Sequence, residues 1–154
     1  MLKVYCAHPI TGLTWDQVSS YYTHIKKVFQ EAGFEVYQPM TAKKAIKAEV
    51  TKEGTFKAGD FRKSVATNHA IVERDRWMVQ HCDLLYLDLT GAKTVSIGCM
   101  MELAWAHILG RYTIVVMEND NIHKHAFVVE TADILLSSEE EAFEYLNTFV
   151  KQDI

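Results

Sequence analysis

The feature that most constrains the fold is a series of short, uninterrupted apolar runs separated by segments with helical periodicity. An apolar run without alternation is typical of a strand buried on both faces, as in a parallel sheet covered by helices. The runs lie at 2–7, 34–37, 83–89, 112–117 and 132–136. This pattern predicts an α/β fold with a parallel sheet.

The segments between the runs predict the helices. Thr14 and Gln17 have the spacing of a capping box and mark the start of the first helix. We predict the longer helices over 15–32, 69–82, 97–109 and 139–151. In the second of these, the apolar residues expected to face the core are Ile71, Val72, Trp77 and Met78. The prediction is one doubly wound domain over 1–154, Rossmann- or flavodoxin-like, with a five-stranded, mostly parallel sheet and helices on both faces.

Residues 40–66 differ from the rest of the chain in composition. They carry seven of the sixteen basic residues, namely Lys43, Lys44, Lys47, Lys52, Lys57, Arg62 and Lys63. We predict a short helix over about 41–49 and then a loop. A loop of this length in a compact domain is either a mobile lid over a binding site or a solvated insertion, and both remain open.

Composition excludes several classes of protein. A net charge of -4 argues against a nucleic-acid polymer as partner. The chain has no apolar run near the roughly 18 residues of a membrane span and no secretory signal pattern. Cys6, Cys82 and Cys99 are odd in number and lie in apolar surroundings, so free thiols and a cytoplasmic location are expected. Histidine and cysteine spacings fit no metal site, and no cofactor is expected.

Ligands of such sheets bind beyond the carboxyl ends of the strands. The first loop at that edge, HPITG over 8–12, has neither GxGxxG nor Walker A spacing, but its backbone amides could hold a phosphate. Its candidate substrate-binding residues are His8, Ile10, Thr11 and Gly12. Asp88 ends a strand at the same edge, where it either contacts the ligand or caps a turn.

The segment Ser96–Glu102 (SIGCMME) carries the clearest chemical signal. Ser96 is a good N-cap residue, the following amides would attract a phosphate, and Gly98 would allow a close approach. Glu102 lies just over a turn beyond Gly98 on the same side, among apolar neighbours. An acid inside an apolar run is more often functional or paired than free. Asp75 is a second, weaker candidate, because it could simply pair with Arg74 or Arg76.

Four pieces of the chain together resemble a known family: YCAHPITG, ERDRWMVQHCDLLYLDL, SIGCMMELAWA and HAFVVETADILLSSEEEAFEYL. They are similar to the nucleoside 2-deoxyribosyltransferase superfamily. The nearer branch is that of the 2′-deoxynucleoside 5′-phosphate N-hydrolases and the CMP and hydroxymethyl-CMP hydrolases. The resemblance covers most of the chain outside about 40–66.

The resemblance implies roles for individual residues. Glu102 would be the nucleophile, and Asp75 would assist catalysis. Ser96 stands where the 5′-phosphate hydrolases bind phosphate and where transferases on free nucleosides tend to carry an aspartate, which favours a monophosphate substrate. Tyr5 matches an aromatic residue of the family pocket, although a core tyrosine is an equally fair interpretation.

Two positions depart from the family pattern. Thr11 stands where an arginine is common in the first loop, so a lysine within 43–47, or Lys93, would have to supply the missing charge. The resemblance implies a homodimer in which a residue of the neighbouring subunit reaches the phosphate, and that position falls on His125 here. A histidine can donate a hydrogen bond or carry charge there.

The leading hypothesis is hydrolysis of the N-glycosidic bond of a (deoxy)nucleoside 5′-monophosphate through a covalent glycosyl-Glu102 intermediate, with no metal or cofactor. A deoxyribosyltransferase that exchanges bases is the nearest alternative, because a second base could take the place of water. A non-catalytic nucleotide sensor and a scaffold without ligand are further alternatives. The presence of both Glu102 and Asp75 argues against the sensor.

Overall fold

The computed structural model describes residues 1–151, so the last three residues of the predicted domain, 152–154, lie outside the described part. Its strands are β1 (Lys3–Ala7), β2 (Glu35–Tyr37), β3 (Leu84–Asp88), β4 (Tyr112–Val116) and β5 (Ile134–Leu136). Its α-helices are α1 (Trp15–Glu31), α2 (Lys47–Glu53), α3 (Asn68–His81), α4 (Ile97–Ile108), α5 (Ala126–Thr131) and α6 (Glu139–Lys151). Each predicted apolar run contains a strand.

The five strands form one sheet in the order β2-β1-β3-β4-β5, and all neighbours pair in parallel. In register, Tyr5 pairs with Tyr37 and Leu85, and Leu85 pairs with Thr113. This is the flavodoxin-like strand order, in which the first strand lies inside the sheet. The predicted doubly wound α/β fold is confirmed.

Apolar side chains on both faces of the sheet explain why the strands read as continuous apolar runs. One core lies between the sheet and the α1 and α6 helices and includes Val4, Cys6, Leu84, Tyr86, Ile114 and Val116. The other lies under α3 and α4 and includes Tyr5, Ala7, Leu85, Leu87, Val115 and Met117. Successive residues of each strand therefore enter opposite cores.

The start of α1 has the predicted capping box. The hydroxyl of Thr14 accepts from the Gln17 amide at 3.2 Å, and the Gln17 side chain accepts from the Thr14 amide at 2.9 Å. No helix within residues 1–151 has both the length and the apolarity needed to cross a bilayer.

Residues 40–66 pack against the body of the protein. A short 3-10 helix, Lys43–Ile46, leads directly into α2, where a helix over 41–49 was predicted. Ile46, Val50 and Phe56 are buried in the α1-side core, and the Gly12 amide donates to the Phe56 carbonyl at 2.8 Å. The segment is thus an integral wall of the domain.

The prediction that Trp77 and Val72 face the core is wrong. The two side chains are 50% and 46% exposed, respectively. The inward stripe of α3 consists of Asp75, Met78, Val79 and Cys82, which have i, i+3, i+4, i+7 spacing. Trp77 falls on the flank of the helix, where its ring stacks on His81 with centroids 4.2 Å apart.

Candidate active site

A cavity of about 560 Å3 opens at the carboxyl edge of the sheet, between the first loop, segment 40–66, α3 and the start of α4. Its volume lies in the range of small-molecule sites. Among the predicted site residues, those that line it are His8, Ile10, Thr11, Asp75, Ser96, Gly98 and Glu102. A larger depression of about 920 Å3 beside α1 contains Lys44 and Lys47 but none of the predicted catalytic residues.

Glu102 lies on the buried face of α4. Cys99, Glu102, Leu103 and Ala106 form an i, i+3, i+4, i+7 stripe that turns toward the sheet. The helix therefore carries Glu102 inward, and its side chain is only 6% exposed although it lines the cavity.

Asp75 lies on the buried face of α3, as Glu102 does on α4. It belongs to the inward stripe of α3, and it is 8% exposed. The Arg74 guanidinium, with its Nε 3.7 Å from Asp75 Oδ1, is too far for a good hydrogen bond, and Oδ1 has no hydrogen-bond partner within residues 1–151. Because α3 packs on α4, the two acids face one cavity.

Tyr5 forms a hydrogen bond to the Glu102 carboxyl group from the sheet. It lies in the middle of β1 and is fully buried, and its hydroxyl donates to Glu102 Oε1 at 2.6 Å. Burial raises the pKa of Glu102 to about 8, the charge of Asp75 adds to this effect, and the Tyr5 hydrogen bond and Lys43 oppose it. Tyr5 does not line the cavity itself. It is a core tyrosine whose hydroxyl orients the candidate nucleophile.

Lys43 is the main cavity residue that the sequence did not single out, beyond its membership of the 43–47 lysine group. Its side chain is 4% exposed and lines the cavity, where the negative charges of Asp75 and Glu102 attract its ammonium group. Burial lowers the pKa of Lys43, as expected for an ammonium withdrawn from water. Lys44 and Lys47 line the depression beside α1 instead, and Lys93 is exposed away from the cavity.

The start of α4 presents hydrogen-bond donors to the cavity. The Ser96 hydroxyl caps the helix by accepting from the Cys99 amide at 3.3 Å. The amides of Ile97 and Gly98 have no acceptor within residues 1–151, and a Cβ on Gly98 would meet open space. Donors at a helix start favour an anionic group.

His123 fixes this helix start, a role that sequence reasoning missed. Its buried ring accepts from the Ser96 amide through Nε2 at 2.8 Å, and its Nδ1 lies 3.0 Å from Asn121 Oδ1. A neutral ring protonated on Nδ1 satisfies both contacts, and burial lowers the pKa of His123 in favour of that form. Its only sequence signal was a place in a loop at the carboxyl edge.

Three other predicted contacts lie outside the cavity lining. The Gly12 amide donates to the Phe56 carbonyl. Asp88 caps its turn: one carboxylate oxygen accepts from the Thr90 amide and hydroxyl at 2.9 and 2.6 Å, and the other accepts from Tyr21 at 2.9 Å. His125 is exposed and caps α5 by accepting from the Phe127 amide at 3.2 Å.

Residues 1–151 contain no group of three or more His, Cys, Asp or Glu side chains that could hold a metal ion.

Fold and cavity together define a doubly wound α/β protein with two buried acids at the carboxyl edge of a parallel sheet, the edge at which this architecture binds its ligands. Residues 4–143 match the model of the nucleoside 2-deoxyribosyltransferase family, and the chain belongs to this family. It is accordingly an enzyme of this family. No curated protein sequence matches the chain.

Solved structures of similar fold have low sequence identity to the chain. A 2-deoxyribosyltransferase from Bacillus psychrosaccharolyticus aligns with a TM-score of 0.64 at 15% identity, over 93% of this chain and 91% of its own. A CMP N-glycosidase from Clostridium botulinum aligns with a TM-score of 0.58 at 14% identity, over 96% of this chain and 98% of its own. A conserved protein from Enterococcus faecalis V583 aligns with a TM-score of 0.60 at 16% identity, over 100% of this chain and 99% of its own. At these identities the likeness concerns the fold.

Proposed function

We propose that the protein hydrolyses the N-glycosidic bond of a (deoxy)nucleoside 5′-monophosphate, giving the free base and (deoxy)ribose 5-phosphate. The observation that carries this proposal is the position of Glu102. Its buried carboxyl group lines the cavity six residues beyond Ser96, roughly 9 Å of helix rise. Such an arrangement suits a ligand that carries an anionic group one sugar unit away from its reacting carbon.

The donors at the start of α4 support the phosphate end of this proposal. Ser96, Ile97 and Gly98 offer a hydroxyl and two amides, and no acidic side chain of the first turn opposes an anion. The side chains of His8 and Thr11 face the same cavity from the first loop.

The proposed first step follows the logic of retaining glycosidases. A Glu102 carboxylate oxygen bonds to C1′ as the bond from C1′ to the base nitrogen breaks, and the bonding electron pair leaves with the base. Tyr5 holds the attacking carboxylate, and Asp75 assists the departure of the base. In the second step, the oxygen of water bonds to C1′ as the ester bond to Glu102 breaks and releases the carboxylate, and the proton that this water loses neutralises the departed base.

Base exchange is the second candidate function, because a second base could attack the same glycosyl-Glu102 intermediate. The family match favours it, since the family is defined by nucleoside 2-deoxyribosyltransferases. Incubating a deoxynucleoside monophosphate with and without a second base separates the two activities. New nucleotide indicates exchange, whereas free base and sugar phosphate alone indicate hydrolysis.

The direct test is to screen the common ribo- and deoxyribonucleoside monophosphates for release of free base. We expect turnover by the wild type and none by Glu102→Gln, which keeps the shape of the side chain but removes the nucleophile. If the wild type binds a monophosphate without turnover, the protein is a nucleotide sensor and the proposed hydrolysis is wrong. Full activity of Glu102→Gln would remove Glu102 from the mechanism.

The phosphate assignment has its own test. Ser96→Asp places a carboxylate where the phosphate is proposed to bind, so it should reduce kcat/KM for the monophosphate far more than for the corresponding nucleoside. Ser96→Asn keeps a neutral cap and serves as the matched control. Equal losses on both substrates would contradict phosphate binding at the start of α4.

We propose further that this single-domain enzyme acts as a cytoplasmic homodimer in which His125 reaches the neighbouring site. Exposed apolar residues on α4 and α5, including Ile97, Ile108 and Phe127, support an interface beside the cavity. Three buried free thiols suit a reducing compartment. If His125 contacts the phosphate, His125→Ala should raise KM for the monophosphate, and an unchanged KM would dismiss that contact.

A further inference from the structure

We propose that Lys43 is a catalytic residue that donates a proton to the leaving base and recovers it from the water that completes hydrolysis. The inference rests on the proposed function and deepens it. It implies a base that turns a carbonyl oxygen or a ring nitrogen, an acceptor for the ammonium group, toward the wall formed by segment 40–66.

The location of Lys43 is the first observation. Lysine is almost never buried unless it is paired, yet this side chain is only 4% exposed and lines the cavity together with Asp75 and Glu102. The side-chain hydrogen bonds and salt bridges within residues 1–151 include none to its ammonium group. Lys57, the other lysine of the cavity wall, is held by Glu49 at 3.2 Å. A buried cation without a protein partner is therefore available to a ligand.

The backbone before Lys43 is the second observation. Ala42 has a left-handed conformation, with φ of 62°, although it is not glycine. Such a conformation is unfavourable for any residue other than glycine, because the Cβ atom approaches the following carbonyl oxygen. It turns the chain directly into the 3-10 helix whose first residue is Lys43. Strain of this kind is kept where the surrounding structure holds a functional group in place.

The lining of the cavity around Lys43 favours the base over the phosphate as its ligand. After desolvation, the largest influences on the ammonium group are attraction by Asp75, repulsion by Arg74 and attraction by Glu102, in that order. The same segment contributes Phe56 and Phe61 to the cavity wall, which gives an apolar surface for a planar ring. Ser96 and Gly98, the proposed phosphate contacts, belong to another wall and bring donors of their own.

The proposed cycle balances in protons and electrons. As C1′ bonds to Glu102, the electron pair of the glycosidic bond passes into the base, and the Lys43 ammonium gives the base one proton. Lys43 is then a neutral amine beside the ester. When the oxygen of water attacks C1′, the amine takes the proton of that water and Glu102 leaves as a carboxylate. The products are the protonated base and the sugar 5-phosphate, and both residues return to their starting states.

A leaving-group comparison tests the assignment. The assay measures kcat/KM of the wild type, Lys43→Met and Lys43→Arg on a nucleoside monophosphate and on the 4-nitrophenyl glycoside of the same sugar 5-phosphate. Nitrophenolate leaves without a proton, whereas the base needs one. We expect Lys43→Met to lose about 10²–10⁴-fold on the nucleotide and less than about 10-fold on the nitrophenyl glycoside, the difference being the general-acid contribution.

The arginine variant separates the proton from the charge. Arginine keeps a cation in the cavity but cannot give up its proton, so Lys43→Arg should also be slow on the nucleotide and near normal on the nitrophenyl glycoside. Lys44→Met, at an exposed neighbour outside this cavity, is the matched control and should leave both rates unchanged.

Two results would overturn the inference. Equal losses of Lys43→Met on both substrates would mean that Lys43 contacts the phosphate or only supports the structure. Full activity of Lys43→Arg on the nucleotide would mean that charge alone suffices. A wild type that cleaves neither substrate would instead refute the proposed function, so the two failures are distinguishable.

Discussion

At the residue scale, the protonation of Glu102 sets the expected pH dependence. Burial and the nearby Asp75 hold the pKa of Glu102 at about 8, well above its ordinary value of 4.5. Only the ionised carboxylate can attack C1′. We therefore expect kcat/KM to rise with pH up to about pH 8 and to fall again at higher pH, where Lys43, whose pKa is lowered by burial, loses the proton that it is proposed to donate. A profile of kcat/KM against pH, measured for the free enzyme acting on a monophosphate, checks the rising limb.

Tyr5 should control the position of that limb. Its hydrogen bond stabilises the charged form of Glu102 and lowers the pKa, so Tyr5→Phe should raise the pKa and move the limb to higher pH. Tyr112→Phe is the control, because it also removes a tyrosine hydroxyl, one that lies 2.6 Å from the Tyr145 hydroxyl outside the cavity lining. This variant should leave the pH profile unchanged. A limb that Tyr5→Phe does not move would show that Glu102 is not the titrating group.

The same burial predicts that Glu102 costs stability at neutral pH. Because its pKa is raised in the folded state, the folded protein binds the proton more tightly than the unfolded chain between pH 4.5 and about 8. The contribution to the free energy of unfolding is full below 4.5 and is lost as pH rises, by up to about 1.4 kcal/mol per unit. Glu102→Gln removes this loss.

We therefore expect Glu102→Gln to be inactive and yet more stable than the wild type at pH 8, by roughly 1–3 kcal/mol. At pH 4.5 the two proteins should differ little, because the wild-type side chain is then neutral in the folded protein and only half ionised in the unfolded chain. Urea unfolding at the two pH values measures the difference. A variant that is less stable than the wild type at pH 8 would contradict the unfavourable burial of this carboxylate.

The acids of the site could be predicted from the sequence, whereas the ammonium group could not. Glu102 and Asp75 lie on helices whose apolar spacing shows which side turns inward, and for Asp75 the stripe with Met78 and Cys82 was a usable signal. The burial of Lys43 depends on how segment 40–66 crosses the edge of the sheet, which no local pattern encodes. His123 was hidden for the same reason, since its partner Ser96 is brought to it only by the fold.

At the element scale, the cap of α1 should contribute to stability without affecting activity. Thr14→Ala removes the hydroxyl that accepts from the Gln17 amide and should cost about 1 kcal/mol. For a chain of this length, that lowers Tm by about 2–4 °C. Differential scanning calorimetry measures the shift, and kcat/KM should be unchanged because Thr14 does not line the cavity.

Thr23→Ala is the control for this prediction. It makes the same chemical change within α1, where the exposed Thr23 hydroxyl donates to the Ser19 carbonyl at 2.8 Å. Alanine is the better helix former at such a position, so Tm should stay level or rise slightly. A loss as large as that of Thr14→Ala would assign the effect to general side-chain loss in α1, not to the cap.

Element predictions succeeded where burial is decided locally. The strands were predictable because a run such as 83–89 can be satisfied only between two apolar layers, and both layers are present. Trp77 was assigned to the core on hydrophobicity alone, although the inward face of α3 was already filled by Met78, Val79 and Cys82. The packing of 40–66 depends on contacts with α1 and the first loop, which lie far away in sequence.

At the scale of the whole molecule, the site is assembled by topology. Tyr5 comes from β1, Lys43 from the segment after β2, Asp75 from α3 and Glu102 from α4. The strand order β2-β1-β3 brings these elements to one edge of the sheet, although Tyr5 and Glu102 are 97 residues apart in the chain. The candidate site therefore depends on the whole fold, because no single segment of the chain contains these four residues.

The outer face of α4 is the surface on which we expect a partner to bind. Opposite its inward stripe, the helix exposes Ile97, Met101 and Ile108, which are 75%, 46% and 84% exposed and share one face. Phe127 at the start of α5, the helix that packs on α4, is 80% exposed. A helix that is apolar on both faces is normally covered on both. Ile97 and Met101 also line the cavity, so a partner on this face would reach its mouth.

We therefore expect the wild type to be a dimer and Ile108→Glu to be a folded monomer. Ile108 is 84% exposed and lies outside the cavity lining, so the charge should penalise association without harming the fold. Val65→Glu, which changes an apolar residue that is 47% exposed and lies away from α4, should stay dimeric. Sedimentation equilibrium gives the masses, and a dimeric Ile108→Glu would exclude this face as the interface. If the partner completes the site, the monomer should also have a higher KM for the monophosphate, because a site open at its mouth holds the substrate less tightly.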